Sequence, residues 1–376
     1  MKFLIFLILQ INLFLKIFCS EEESSTASSI ILPPQPPPPH NVRTCNFVGD
    51  TTGYLRPCYF TNWAQYRDGR AKFVPEDYVP RLCTHILYAF AQFNSSFILS
   101  PTDPADLPNE SDPKGLYQRV VELKNYDYGL KVLISVGGWT LSQTSLFEDM
   151  MSRKYGFDGI DMDYEYPKNK TNFNLLFKEF TEAFKEDKKR NCERLIITAA
   201  VSAGIETAKQ SYDIANISNY VEFVNLMTYD FHVSHGWTLA NPNGSRKPVG
   251  SAAIGPSNAT TYLKSEGIGA YFEFCEMLTD PTTKRAFDLN AKVPFLIYQE
   301  SQWFSYDNIK SFKAKIDWIK GNGYGGAYVW TLDYDDFNGE CTDSVDGIYP
   351  LIGTIARRMG NVKGPLIPIS TQKPLI

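Results

Sequence analysis

Three absences bound the problem before any motif is read. The chain of 376 residues carries 37 Lys+Arg against 42 Asp+Glu, a formal net charge of 37 − 42 = −5. It therefore lacks the basic excess that a nucleic-acid-binding face requires. Beyond its first residues no run approaches the roughly 18 apolar residues of a membrane span. No C-x-x-C pair and no Cys/His cluster occurs, which argues against structural zinc. What is present is ordinary globular usage, 43% hydrophobic and 21% charged residues. That length and composition suit one large α/β domain or two smaller ones with a sizeable core.

The N-terminus reads separately from the rest. Met1-Lys2, the apolar run Phe3–Leu15 and small residues near position 20 have the pattern of a secretory signal peptide. The run is short and is interrupted by Gln10, Asn12 and Lys16, so an uncleaved anchor is the lesser alternative. The expectation is a secreted, extracellular, soluble chain without membrane contact after leader removal. Residues 21–52, with Pro33-Pro34-Gln35-Pro36-Pro37-Pro38-Pro39, read as a stiff polyproline linker. Export leaves Cys45, Cys58, Cys83, Cys192, Cys275 and Cys341, whose wide spacing suits disulfides. Six N-x-S/T sequons, at Asn94, Asn109, Asn169, Asn216, Asn243 and Asn258, fit the same compartment. The aromatic share is high at 14%; most of these rings belong in a core, but flat aromatic faces also suit sugar rings.

From Gly53 onward short apolar runs alternate with longer mixed segments. Strands are expected at Arg56–Phe60, His85–Ala91, Lys131–Val136, Gly159–Asp163, Leu195–Ala200, Phe223–Met227 and Gly326–Trp330. Helical patterns fall at Leu116–Leu123 and Phe173–Lys188. This alternation implies a parallel sheet with crossover helices, either a β/α barrel or a doubly wound sheet. No G-x-G-x-x-G follows the first strand, which disfavours dinucleotide binding. Between residues 237 and 324 the alternation fails, and a small α+β insertion is expected, opening on a loop over Asn241–Asn258 with a strand at Phe295–Tyr298 and a helix at Ile309–Lys320.

The segment Phe157-Asp158-Gly159-Ile160-Asp161-Met162-Asp163-Tyr164-Glu165 carries the chemistry. On a strand, alternate residues share a face, so Asp161, Asp163 and Glu165 point one way and Ile160, Met162 and Tyr164 the other. Three aligned carboxylates repel one another unless they share protons or hold a cation. Shared protons raise one pKa, as a general acid requires. A divalent-metal site and an exposed acidic edge are the rival readings. The flanking apolar residues disfavour the edge, and the missing turn glycine disfavours a calcium loop.

Asp158-Gly159-Ile160-Asp161-Met162-Asp163-Tyr164-Glu165 resembles the D-G-x-D-x-D-x-E signature of family 18 glycoside hydrolases, the chitinases and chitinase-like lectins. Further segments resemble that family in order along roughly Gly53 to Gly360: Cys58–Trp63, Cys83–Ala91, Ser135–Trp139, Met227–Asp230 and Gly325–Trp330. The resemblance implies a TIM (β/α)8-type barrel over residues 53–236 and 325–362, with the 237–324 insertion and a short tail, 363–376. It implies Glu165 as the general acid, with Asp163 orienting the substrate's N-acetyl group and exchanging a proton with Asp161. The acetamido oxygen would be the nucleophile. Tyr229 and Asp230 match residues at the cleavage point, Trp330 the aromatic floor, and Tyr59, Trp63 and Trp139 groove residues on which sugars stack; Phe90, Gly138 and Met227 complete the implied substrate-binding set. It also implies the disulfides Cys58–Cys83 and Cys275–Cys341, no cofactor or metal, and a monomer acting on chitin or N-acetylglucosamine oligosaccharides.

Two departures stand out. Only residues 140–156 separate Trp139 from Phe157, leaving a crossover helix of barely two turns, expected at Leu146 to Lys154. After His232 the chain passes through Trp237 into the insertion, with no seventh strand in between. Closure normally uses eight strands, so an incomplete barrel with exposed edges is expected. Such clean gaps fit a truncated splice or gene-model product, or a divergent member that patches the gap. A sugar-binding protein without turnover is therefore the second functional expectation.

Overall fold

Burial on both faces dictates where the parallel strands form. The structure is a computed structural model and describes Lys2–Ile5, 53–93, 99–138, 154–188, 194–230, 236–239, 253–341 and 347–372. Trp139, Cys45, Cys192, the 21–52 linker and nearly all of the expected 146–154 helix lie outside these residues. In the strand Lys131–Gly137, Val132, Leu133, Ile134, Ser135 and Val136 are all buried. A near-continuous apolar run of this kind is what a sheet covered on both sides requires.

In chain order the strands of the main sheet are β1 (Lys2–Ile5), β2 (Pro57–Thr61), β3 (His85–Phe93), β4 (Leu99–Pro101), β5 (Lys131–Gly137), β6 (Gly159–Asp163), β7 (Ile196–Ser202) and β8 (Phe223–Met227). Their order is β1-β8-β7-β6-β5-β3-β2, with β4 antiparallel on β3. The six strands from β2 to β8, β4 aside, pair in parallel in the sequence order of a TIM barrel. The helix Lys170–Lys188 covers this sheet with Phe173, Phe177, Phe180 and Phe184, all buried. Their spacing makes one apolar stripe, each ring contributing about 1.5–3 kcal/mol by burial.

The expected last strand, Gly326–Trp330, is reduced to two parallel bridges, Leu55 (just before β2) with Gly326 and Cys58 of β2 with Val329. The Tyr59 and Val329 amides donate to the Val329 and Pro57 carbonyls, each at 2.9 Å. A strand in a closed barrel is held from both sides, and here ladder pairing is found only on the β2 side among the described residues. The parallel sheet is thus a curled, incomplete barrel. On the other rim, β1 pairs in parallel with β8, Lys2 opposite Phe223 and Ile5 opposite Leu226. Residues expected to belong to the leader therefore lie where a seventh strand would. Phe223 reaches across the interior to His85, with ring centroids 5.0 Å apart, so Asn225, two residues on, also faces inward. Asn225 is fully buried and, among the described residues, neither of its amide atoms has a hydrogen-bond partner. This is the layer that a seventh strand would complete.

A second, antiparallel sheet of order β10-β9-β13-β12-β11 comprises β9 (Gly236–Leu239), β10 (Ala253–Gly255), β11 (Lys284–Asp288), β12 (Val293–Tyr298) and β13 (Gln302–Ser305). Within the stretch expected to be a loop, Ala253–Gly255 forms a short strand because it pairs with β9. The helix Tyr271–Thr279 packs Phe274 against Leu296, Phe304 and Tyr306. The disulfides Cys58–Cys83 and Cys275–Cys341 are both formed. Among the described residues no helix is long and apolar enough to cross a membrane.

Candidate active site

Strand β6 delivers Asp161 and Asp163, two of the three carboxylates of the row, to the barrel interior. Asp161 is fully buried and is surrounded by hydroxyl donors from three other strands, the adjacent β5 and β7 and the more distant β2. Its Oδ2 accepts from Tyr59 Oη on β2 at 2.7 Å and from Ser135 Oγ on β5 at 2.8 Å. Its Oδ1 accepts from Thr198 Oγ1 on β7 at 2.5 Å. Burial raises the Asp161 pKa while these three hydrogen bonds oppose the rise. Protic donors occupy the lone pairs that a cation would need, which disfavours the metal reading on chemical grounds.

Asp163 lies one pleat further along the same face, buried, and its Oδ1 has no hydrogen-bond partner among the described residues. Its pKa is pushed well up by burial first, then by the charges of Glu165 and Asp161. Glu165 lies two residues beyond the end of β6 and is half-buried. Burial is also the main cause of its raised pKa, reinforced by Asp230 and opposed by a hydrogen bond from Tyr166. The row therefore holds protons at pH values where ordinary carboxyls have lost them, and it titrates as a coupled set.

Two glycines let β5 approach this row. A Cβ on Gly137, at φ +125°, would lie 1.9 Å from the Asp163 carbonyl oxygen. Gly138, at φ +77°, donates its N–H to that oxygen at 2.6 Å, and a Cβ there would meet the Phe90 ring at 2.7 Å. Only glycine satisfies both the backbone sign and the space.

Aromatic rings wall the cleft beside the carboxylates. Phe90 stacks on Trp330, with centroids 5.8 Å apart and planes 23° apart, and on Trp63 at 6.0 Å and 28°. Trp63 is 39% exposed, and Trp330 and Phe90 are partly exposed. Tyr229 is half-buried and Asp230 exposed at the end of β8, while Met227 is buried below them. Asp230 takes a positive φ of 53°, the conformation that Asp tolerates better than most residues. Charges of Asp163 and Glu165 help raise the Tyr229 hydroxyl pKa, after burial, so Tyr229 faces the row.

One expected groove residue is corrected. Tyr59 is only 1% exposed, edge-on to Tyr328 and 5.1 Å from Trp330. Its ring offers no free face to a sugar, and its hydroxyl instead holds Asp161. The motif locates the strand, but the pleat turns this side chain inward. Ser135, Thr198 and Tyr166 were not anticipated. Ser135 stood inside a matched motif without a role, and Thr198 carries no sequence signal, since a lone Thr in a buried strand looks like any β-former.

A curled parallel sheet, with acids at the carboxyl ends of its strands and an aromatic cleft beside them, defines a glycosidase-type TIM barrel. The family model for glycosyl hydrolases family 18 matches residues 56–335. The chain is 40% identical, over 83% of its length, to a probable endochitinase of Caenorhabditis elegans, of which it spans 61%. An immunomodulatory active chitinase from Trichuris suis superposes with TM-score 0.75 at 35% identity, covering 81% of this chain and 99% of that one. Human YKL-39, described as a pseudo-chitinase with retained chitooligosaccharide binding, superposes with TM-score 0.73 at 28% identity, covering 82% of this chain and 100% of that one. The chain belongs to glycosyl hydrolase family 18.

Proposed function

We propose that the chain is an exported chitinase that hydrolyses β-1,4 bonds in N-acetylglucosamine polymers with retention. The observation that carries this reading is the proton-holding row Asp161–Asp163–Glu165 beside the Phe90–Trp63–Trp330 wall. Glu165, the least buried of the three acids, gives its proton to the glycosidic oxygen. Asp163 aligns the acetamido group, whose oxygen attacks the anomeric carbon, and the proton shared with Asp161 offsets the charge that develops. Water, deprotonated by the Glu165 carboxylate, then opens the cyclic intermediate. Tyr229 and Asp230 border the cleavage point, with Gly138, Met227 and Trp330 around the sugar that is cleaved. The motif resemblance implies Trp139 as a further stacking residue. The protein acts as a monomer without cofactor, and the export reading rests on the leader pattern and the six sequons.

The incomplete rim beside β8 favours a second reading, an oligosaccharide-binding protein with impaired turnover. One experiment separates the two. Glu165→Gln is expected to abolish release of products from a chitin oligosaccharide while calorimetric binding persists. Normal hydrolysis by that variant would overturn the assignment of the acid, and binding without hydrolysis by the unaltered chain would establish the second reading.

A further inference from the structure

A buried carboxylate joins the two segments that carry the cleft tryptophans. Asp333 lies in the single 3-10 turn Leu332–Tyr334 and is fully buried. Its Oδ1 accepts hydrogen bonds from Thr61 Oγ1 at 2.9 Å and from Thr331 Oγ1 at 2.6 Å. Its Oδ2 is paired with Arg67 Nη1 at 2.6 Å. The Arg67 guanidinium in turn sits over the Tyr334 ring, 5.4 Å from its centroid.

The three donors belong to the two segments that carry the tryptophans. Thr61 ends β2 and is the N-cap of the 3-10 helix Asn62–Tyr66, which bears Trp63, and Arg67 closes that helix. Thr331 directly follows Trp330. The indoles are 6.2 Å apart at 41°. Backbone pairing between the same segments stops short of them, at the bridges of Leu55 with Gly326 and Cys58 with Val329. Past those bridges, the Asp333 carboxylate ties one segment to the other from both sides, with a buried ion pair and two hydroxyl bonds. Removing one partner of such a buried set leaves the others uncompensated, which moves side chains more than it removes a contact.

We propose that Asp333 is a positioning residue for the sugar platform: it fixes the mutual angle of Trp63 and Trp330 and thereby sets affinity for oligosaccharide without touching it. The inference rests on the sugar-cleft reading above. Platform residues must be held within a fraction of an ångström by their supporting side chains, and a misplacement of about 1 Å costs up to about a hundredfold.

The test is a double-mutant cycle on binding of an N-acetylglucosamine hexamer, read by calorimetry, with near-ultraviolet circular dichroism of the tryptophans recorded for each protein. Asp333→Asn keeps an acceptor for the threonines and removes the partner of Arg67. It is expected to weaken binding about tenfold, with kcat within about twofold and KM carrying the loss. Trp63→Ala should weaken binding by a similar factor, and the double variant should be no worse than either single, because a misaligned platform and an absent one are the same loss. Additive losses, or Asp333→Asn binding like the parent, would overturn the proposal. Should Asp333→Asn not fold, Thr331→Val carries the same cycle with the ion pair kept. If the parent binds no hexamer, the sugar reading falls. The tryptophan dichroism then decides the anchoring alone, with a changed band in Asp333→Asn supporting it and an unchanged band overturning it.

Discussion

Thr198→Val tests the physical basis of the carboxylate row more sharply than deletion of any acid. Valine fills the space of threonine but cannot donate, so Asp161 Oδ1 loses the bond it accepts at 2.5 Å while Oδ2 keeps Tyr59 and Ser135. A hydrogen bond to a buried charged group is worth about 1.5–3 kcal/mol, and about 1.36 kcal/mol corresponds to one pKa unit. The Asp161 pKa, already raised by burial, should therefore rise further. A carboxyl whose folded pKa exceeds its unfolded value binds its proton more tightly when folded, so its contribution to stability falls as pH rises through that window. Variant and parent should then differ least at low pH, where Asp161 is protonated in both. The difference should grow through the parent's folded pKa and be largest above the variant's, where the missing donor faces a carboxylate. Denaturant unfolding across pH measures this directly. The acidic limb of kcat/KM should move to higher pH, since raising one member of a coupled pair raises the pair's apparent values. A stability loss that is constant across pH, together with a superimposable acidic limb, would refute the idea that hydroxyl donors set the protonation of the row.

Three further outcomes are expected. Gly138→Ala places a Cβ 2.7 Å from the Phe90 ring at φ +77°, so strain and overpacking should cost about 2–5 kcal/mol, read by denaturant unfolding, and hexamer affinity should fall with it; a loss below about 1 kcal/mol would contradict the close approach. Replacing Cys58 and Cys83 together by Ser opens a crosslink with a sequence separation of 25, and loop-closure entropy puts the loss at about 3 kcal/mol, checked by the shift in urea midpoint. Loss of residues 1–20, the processing that the export reading expects, would uncover the β8 rim paired here with Lys2–Ile5; compared with the full chain, the processed chain should show faster amide exchange across Phe223–Met227 and more self-association with concentration, whereas unchanged exchange would mean that β1 contributes no protection.

What the sequence disclosed, and what it hid, follows from how each feature is encoded. Gly159–Asp163 and Phe223–Met227 were legible to the residue because period and burial agree there. Gly326–Trp330 read as a strand by composition, yet ladder formation depends on a neighbour on each side, and a local pattern cannot report that one is missing from the barrel. The acids were legible because alternation places them on one face. Their hydroxyl donors were not, since Tyr59, Ser135 and Thr198 come from three other strands and meet Asp161 only through the curl of the sheet. Tyr59 was assigned to the wrong side of the wall for the same reason. Asp333 lay hidden in an acidic stretch, Asp333-Tyr334-Asp335-Asp336, that resembles a solvated loop until its burial is seen.

The position of the gap decides which half of the site it compromises. Asp161 is held by β2, β5 and β7, and the ladder from β2 through β3, β5, β6 and β7 is continuous. The protonation machinery thus stands on the intact arc. The gap adjoins β8 and the 325–330 segment instead, which carry Tyr229, Asp230 and Trp330. Its cost falls on the groups proposed to surround the sugar, and the Asn225 amide, without a partner among the described residues, marks how far it reaches into the interior. Weak binding with an otherwise ordinary acid is the expected phenotype of such a barrel. That places the support given to Trp330 by Asp333 at the point where the fold has least to spare.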